Sequence, residues 1–259
     1  MPRMSNGVAS SRVAWPRIYL FGDTLTQSSF IFGGWGSVIA ECFSRRCDVL
    51  CRGLRGYNTR AWRQALPLVL GPEDARSVAA LVLMMGTSDS ADPRDPEATH
   101  VPLDEYADNV ACMLGYVKAC GISYGKIILV TPPPIDEQLW LAHCRRRGKN
   151  TVRTSSSVTK YAKACAMVGL GKGVKVVDAH SHFLNDAHWS RLLSDGINLS
   201  PAGSHKLASV LIPVLKEVVG EAPRLFPEFS ELDPDKPEDA ISAWASATCD
   251  CARQHDYAE

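Results

Sequence analysis

The stretch RIYLFGDTLTQ, residues 17–27, decides the fold. Ile18 to Phe21 form a short apolar run rich in strand-forming residues, and Gly22-Asp23 ends it with residues typical of turns. The pattern predicts a buried strand that stops just before Thr24. Because α/β sheets bind ligands beyond the carboxyl ends of their strands, Thr24 is the first candidate site residue.

Strand and helix patterns alternate along the rest of the chain. Further strands are predicted at residues 48–50, 78–85, 126–130 and 174–178, and helices at residues 36–43, 59–70, 106–117, 156–168 and after Ser200. Glycines at residues 169–173 are expected to turn the fourth of these helices into the last strand. This alternation predicts parallel βαβ units in a single doubly wound, flavodoxin-like α/β domain with a five-stranded parallel sheet.

The predicted domain covers residues 15–222. Residues 1–14 contain no periodic apolar pattern and are expected to be disordered. Residues 223–259 are rich in Asp, Glu, Pro and Ala, so we expect an acidic, mostly mobile C-terminal tail, in which only residues 241–244 suggest a docked turn.

Composition excludes several classes of partner. The formal net charge is zero, which gives no electrostatic reason to expect nucleic acid or an anionic membrane. The longest apolar run, Val78 to Met85, is much shorter than the ~18 to 20 residues that a bilayer crossing needs. No apolar leader precedes Val13, and the nine cysteines are scattered, so we expect reduced thiols and a cytoplasmic location.

No cofactor or metal site is predicted. Cys249 and Cys251 with His255 provide too few ligands at the wrong spacing for structural zinc. The basic run RRRGK, residues 145–149, lies in the connection after the fourth predicted strand. It is interpreted as a solvated loop, although it lies on the side of the sheet where an anionic ligand would be drawn in. No protein partner can be named from these patterns.

Four loops should meet at one edge of the predicted sheet. Those after the first three strands carry Thr24, Gly56 and Ser88, and the segment after the last strand carries DGIN, residues 195–198. The carboxyl ends of parallel strands lie at the same edge, so this convergence predicts a single site.

The chain resembles the GDSL-type, or SGNH, ester hydrolases. Phe21-Gly22-Asp23-Thr24 is similar to the block that carries the nucleophilic serine of that family. Residues 33–36 (GGWG) and 52–60 (RGLRGYNTR) resemble the isoamyl acetate-hydrolysing esterase homologues within it. The similar blocks extend from about Trp15 to Val219.

The resemblance implies a role for each residue of the site. It assigns the nucleophile to Thr24, oxyanion donors to Gly56 and Ser88, the orienting carboxylate to Asp195 and the general base to Asn198. The family has Ser, Asn and His where this chain has Thr24, Ser88 and Asn198, whereas Gly56 and Asp195 match. Asn198 can still form a hydrogen bond with Asp195, but a carboxamide does not accept a proton near neutral pH.

These substitutions predict an SGNH-fold relative with impaired or no ester hydrolysis that retains a pocket for a small ester, acyl or carboxylate ligand. One alternative is an active short-chain esterase that uses Thr24 with a base relocated to His180, His182 or His188. Another is a non-catalytic scaffold that acts through its surface or its C-terminal tail.

Overall fold

Five parallel strands form the sheet, as predicted. The computed structural model describes residues 13–95, 99–149 and 151–255, with the backbone alone for residues 248–255. The strands are β1 (Arg17–Gly22), β2 (Asp48–Gly53), β3 (Val78–Met84), β4 (Ile127–Val130) and β5 (Lys175–Val177). Their spatial order is β2-β1-β3-β4-β5, the doubly wound topology in which the chain reverses direction beside β1.

Helices cover both faces of the sheet. They are α1 (Thr24–Gln27), α2 (Trp35–Cys42), α3 (Thr59–Val69), α4 (Leu103–Ala119), α5 (Glu137–Arg146), α6 (Ser155–Lys172), α7 (Ala179–Leu184), α8 (Pro201–Val219) and α9 (Pro237–His255). Within the described residues, no helix combines the length and the apolar character needed to cross a membrane.

Strand β1 lies at the centre of two apolar layers because its side chains alternate between the faces of the sheet. Tyr19 and Phe21 pack in one layer with side chains of α3, α4 and α6. Ile18 and Leu20 pack in the other layer with side chains of α2, α7 and α8. Burial on both faces explains why the strand is apolar throughout rather than alternating with polar residues.

Side-chain caps begin α3 and α8. The Asn58 side chain accepts a hydrogen bond from the Ala61 N–H at the start of α3. The Ser200 hydroxyl oxygen accepts one from the Gly203 N–H at the start of α8, with Pro201 at the first helical position.

The predicted turn at residues 169–173 is wrong, because α6 continues through Gly169 and Gly171 to Lys172. Gly169 is buried, and a Cβ on it would lie 2.4 Å from Val176 Cγ2. Its lack of a side chain therefore lets the helix pack closely on β5. Gly173 ends the helix in the left-handed conformation, with φ +69°.

Residues 145–149 are exposed, as predicted for a solvated segment, but the first two of them are helical rather than part of a loop. Arg145 and Arg146 form the last turn of α5, where cationic side chains interact favourably with the helix dipole. The Asp136 side chain caps the first turn by accepting a hydrogen bond from the Leu139 N–H. The large apolar residues of α5 lie within a single turn, and so short a pattern does not predict a helix from sequence.

The chain divides into two compact units, and the larger is Pro16–Ala222. The other contains Trp15 and the residues after Pro223. Within it, Phe226 stacks on Trp244 of α9 at 4.4 Å between ring centroids, and Trp15 lies 6.5 Å from Phe226. Where the sequence suggested only a short docked turn, the structure therefore has a helix with aromatic contacts. The mobility of this segment stays a prediction, and most of the predicted N-terminal disorder falls outside the described residues.

Two glycines at the ends of adjacent strands let α1 lie directly on the sheet. Gly22 and Gly53 are paired in the register of β1 and β2. A Cβ on Gly53 would lie 2.0 Å from Gln27 N, and one on Gly22 would lie 2.1 Å from Thr26 Oγ1. Larger residues would therefore displace the helix that carries Thr24.

We expect Gly53→Ala to lower the free energy of unfolding by about 1–3 kcal/mol, since the added methyl group meets backbone that cannot easily move. Gly115→Ala is the matched control, because Gly115 lies in the middle of α4 with no atom near its Cβ position. That variant should gain about 0.5–1 kcal/mol. Urea unfolding followed by circular dichroism measures both, and equal unfolding midpoints would contradict the close-approach argument.

Candidate active site

Thr24 is the first residue of α1, immediately beyond the carboxyl end of β1. Asp23 caps this short helix by accepting a hydrogen bond from the Leu25 N–H at 3.0 Å. The indole N–H of Trp35 donates to the Leu25 carbonyl oxygen, also at 3.0 Å. These two contacts hold a four-residue helix that propensity alone would not stabilise, and they leave Thr24 half-buried at the middle of the sheet edge.

Gly56 contacts Thr24 directly. Its N–H donates a hydrogen bond to Thr24 Oγ1 at 3.2 Å, and its φ of +78° is one that glycine adopts readily. The neighbouring Arg55 N–H donates to Gln27 Oε1 at 2.7 Å, which joins the loop after β2 to α1. The structure thus brings together the two residues that the sequence assigned as nucleophile and oxyanion donor.

The loop after β3 carries Ser88, and Arg153 holds it from within. The Arg153 side chain is buried, and its Nη1 donates to the Thr87 and Ser88 carbonyl oxygens at 2.8 and 3.2 Å. Thr99 Oγ1 donates to the same Ser88 carbonyl at 3.1 Å. Arg153 was not among the predicted site residues, because nothing in its sequence neighbourhood distinguishes it.

Asp195 and Asn198 form a closed hydrogen-bonded loop before α8. Asp195 Oδ1 accepts hydrogen bonds from the Ile197 and Asn198 N–H groups at 3.0 and 2.8 Å. Asp195 Oδ2 accepts one from Asn198 Nδ2 at 2.7 Å. The amide of Asn198 therefore donates to the carboxylate, as the sequence led us to expect.

Helix α5 packs against this loop at Gly196. The Asp136 N–H donates to the Gly196 carbonyl oxygen at 2.9 Å, and a Cβ on Gly196 would lie only 2.4 Å from Trp140 N. This close packing places His143, one turn further along α5, beside Asp195. His143 Nε2 lies 3.9 Å from Asp195 Oδ2, and the imidazole stacks on Trp140 at 5.5 Å between centroids.

His143 is the histidine that the sequence argument missed. The three predicted alternatives lie elsewhere: His180 is buried with Nε2 3.1 Å from Thr159 Oγ1, and His182 and His188 are exposed. None of those three lines the cleft at Thr24, whereas His143 does. Recognition of α5 would have shown Trp140 and His143 one turn apart on the same face.

These loops enclose a cleft of about 330 Å³, within the range of small-molecule sites. Its described lining consists of Asp23, Thr24, Leu25, Arg55, Gly56, Thr87, Ser88, Thr99, Trp140, His143, Arg147, Lys149, Arg153, Asp195, Ile197 and Asn198. All five residues that the resemblance assigned to the site are therefore in one cleft.

Among the described residues, Thr24 Oγ1 accepts a hydrogen bond from the Gly56 N–H, and no imidazole nitrogen is hydrogen-bonded to it. The described residues also contain no group of three or more His, Cys, Asp and Glu side chains arranged to hold a metal ion.

Asp23 and Asp89, the neighbours of Thr24 and Ser88 in the chain, are buried carboxyl groups. The pKa of Asp23 is raised to about 7, chiefly by burial; the hydrogen bond from the Leu25 N–H opposes this shift, and the nearby Asp89 carboxylate adds to it. Burial also raises the pKa of Asp89 to about 6, against the stabilising hydrogen bonds from the Thr59 hydroxyl and N–H. Desolvation favours the neutral acid in both cases.

Known proteins place this chain in a family. The model of the GDSL-like lipase/acylhydrolase family matches residues 20–206. The isoamyl acetate-hydrolyzing esterase 1 homolog of Homo sapiens is 38% identical over 229 residues, which is 88% of this chain and 92% of that protein. A GDSL esterase/lipase of Arabidopsis thaliana is 34% identical and covers 87% of this chain and 97% of its own length. The protein belongs to the GDSL-like lipase/acylhydrolase family.

Solved structures show the same fold. The lipase/acylhydrolase from Enterococcus faecalis has a TM-score of 0.62 with 19% identity, and the match covers 82% of this chain and all of that one. An acetyl xylan esterase, AlAXEase, also has a TM-score of 0.62, with 17% identity, over 76% of this chain and 98% of its own. The architecture is therefore that of the SGNH hydrolases.

The raised pKa of Asp23 makes stability depend on pH. In the folded state the carboxyl stays protonated to about pH 7, whereas in the unfolded chain it ionises near pH 4. Its contribution to stability is therefore fully present below about pH 4 and is lost as the pH rises to 7. We expect Asp23→Asn, which keeps an acceptor for the Leu25 N–H, to differ little from wild type at pH 4 and to be more stable by roughly 2–4 kcal/mol at pH 8.

Denaturant unfolding at the two pH values measures this difference, with the exposed Asp108→Asn on α4 as control. A difference between Asp23→Asn and wild type that is the same at pH 4 and pH 8 would show that Asp23 is ionised in the folded protein throughout this range.

Proposed function

We propose that this protein binds a small ester, acyl or carboxylate ligand in the cleft at Thr24 and hydrolyses esters much more slowly than a GDSL esterase with an intact Ser and His. The observation that supports this most strongly is the hydrogen bond from Asn198 Nδ2 to Asp195 Oδ2. Asp195 has its structural partner, but that partner is a carboxamide. The carboxylate therefore orients a group that does not take up a proton near neutral pH.

The missing base affects the first chemical step most. In ester hydrolysis the attacking hydroxyl must lose its proton as its oxygen bonds to the carbonyl carbon, and a positioned base contributes roughly 10²- to 10⁴-fold to that transfer. Among the described residues, no imidazole is hydrogen-bonded to Thr24 Oγ1, so its proton has no such acceptor in place.

The other two substitutions act on attack and on charge stabilisation. Thr24 adds a methyl group and a stiffer χ1 to the attacking side chain. Gly56 keeps its N–H directed at this part of the cleft, but Ser88 replaces the longer Asn arm that the family uses as an oxyanion donor. Loss of one such donor lowers turnover by roughly 10²- to 10³-fold. These losses do not add, because the members of a triad act as a unit.

Restoring the family residues tests the proposal. We expect the triple variant Thr24→Ser, Ser88→Asn, Asn198→His to hydrolyse short-chain acyl esters at least ~10² times faster than wild type, because Asp195 is already placed beside residue 198. The matched control carries Gln instead of His at residue 198 and so retains a carboxamide. Initial rates with p-nitrophenyl acetate and butyrate from pH 6 to 9 measure the gain.

A wild-type turnover above about 1 s⁻¹, in the ordinary range of enzymes, that disappears in Thr24→Ala would overturn the impaired-site proposal.

A second candidate function is slow ester hydrolysis with His143 as the base. It is favoured by the 3.9 Å separation of His143 Nε2 from Asp195 Oδ2 in the same cleft as Thr24. In that case, His143→Gln should lower any measured rate at least tenfold, whereas the exposed His188→Gln should leave it unchanged. Equal rates for both variants would exclude His143 as the base. The scaffold hypothesis stays a prediction.

A further inference from the structure

Several basic side chains line the cleft. Among its described lining residues, Arg55, Arg147, Lys149 and Arg153 are basic. Arg55 follows β2 and Arg147 follows α5, so the positive side chains come from separate parts of the chain. Arg55 and Arg147 are exposed, which leaves their guanidinium groups accessible to a ligand. The cationic lining is therefore a property of the folded cleft, since residues 145–149 supply only part of it.

The acidic groups of the described lining do not balance this charge. Asp195 already accepts three hydrogen bonds, from the Ile197 and Asn198 N–H groups and from Asn198 Nδ2. Asp23 is buried, and its pKa of about 7 leaves it largely protonated in mildly acidic solution and about half protonated at neutral pH. The buried Arg153 lies 3.8 Å from Asp95, which offsets its charge within the protein. The exposed Arg55 and Arg147 instead share the cleft with Asp195, which already accepts three hydrogen bonds. A neutral, apolar ester would be desolvated here against charges that it cannot pair.

Trp140 gives one wall of the cleft an aromatic side chain. The indole Nε1 of Trp140 is buried and has no acceptor among the described residues. Trp140 lines the cleft and stacks on His143, so its ring is held in place by that contact.

We propose that the ligand of this cleft is a small ester that also carries a free carboxylate, of the half-ester class formed by short dicarboxylic acids. The ester group occupies the end of the cleft formed by Thr24 and Gly56, and the carboxylate pairs with Arg55 and Arg147. Arginine suits this role because its planar guanidinium offers parallel N–H donors to the two carboxylate oxygens. The inference rests on the proposed function, since it names the ligand of the same site.

The experiment compares two probes that differ in one charge. Monomethyl glutarate carries an ester and a carboxylate, and dimethyl glutarate carries two esters on the same carbon chain. Isothermal titration calorimetry on the full chain should show the half-ester binding at least ~10-fold more tightly than the diester, with an affinity that falls between 50 and 300 mM salt because the pairing is partly solvent-exposed. The diester should show little salt dependence.

Variants of the basic segment locate the contact. Arg147→Gln should weaken binding of the half-ester by about 3- to 10-fold, as expected for one partly exposed charge-assisted contact, and should leave the diester unaffected. Arg146→Gln is the matched control, because Arg146 is an exposed arginine of the same run that does not line the cleft. Arg55→Gln should act as Arg147→Gln does, and the double variant should lose the preference for the half-ester.

The outcomes separate this inference from the proposed function. Equal binding of the two probes, or equal effects of Arg147→Gln and Arg146→Gln, would overturn the carboxylate preference and leave ester binding intact. Rapid hydrolysis of both probes that depends on Thr24 would overturn the impaired-site proposal, and the ratio of the kcat/KM values for the two probes would then test the preference. Failure of the half-ester to bind at millimolar concentration would overturn the inference.

Discussion

The close approach of α1 to the ends of β1 and β2 is the constraint on which the site depends. A helix can begin one residue after β1 only because Gly22 and Gly53 leave room for the backbone and side chains of Thr26 and Gln27. The same approach brings the loop after β2 within hydrogen-bonding distance, so that Gly56 donates to Thr24 Oγ1. Core packing alone would not produce this geometry, because apolar contacts are not directional. Absence of side chains at two positions and a few directed hydrogen bonds together set the position of Thr24.

Most of the sheet was predictable because its signals are local. The runs in β1 and β3 are apolar throughout, as expected for strands that are covered on both faces, and turn residues mark their ends. The helix starts at Asn58 and Ser200 follow from capping chemistry that the sequence states directly. By contrast, a glycine that serves close packing looks the same in sequence as one that forms a turn. Gly169 was misread for that reason, since its role depends on Val176, a neighbour that the fold supplies.

The site was predictable only in part, for a related reason. Thr24, Gly56 and Ser88 lie just beyond the ends of β1, β2 and β3, and topology alone brings such positions together. Asp195 and Asn198 lie beyond α7 and reach the same cleft through the loop before α8. His143, Trp140 and Arg153 reach the cleft from a connection whose path depends on tertiary contacts, including the packing of α5 on Gly196. The charge of the cleft therefore could not be read from composition. A chain with no net charge has a cationic pocket because the fold gathers basic side chains from separate segments.

The loop at Asp195 is held by hydrogen bonds that do not need a basic side chain at residue 198. Two of the three hydrogen bonds to Asp195 come from backbone N–H groups, which are present whatever side chain occupies residue 198. The third comes from the side chain of Asn198, whose amide donates where an imidazole N–H would donate in the family's Asp and His pair. Orientation of the partner and uptake of a proton are separate properties of that side chain, and only the second needs a basic nitrogen. Under the proposed function, Asn198 provides the orientation but no proton acceptor, and Asp195 keeps all three of its hydrogen bonds.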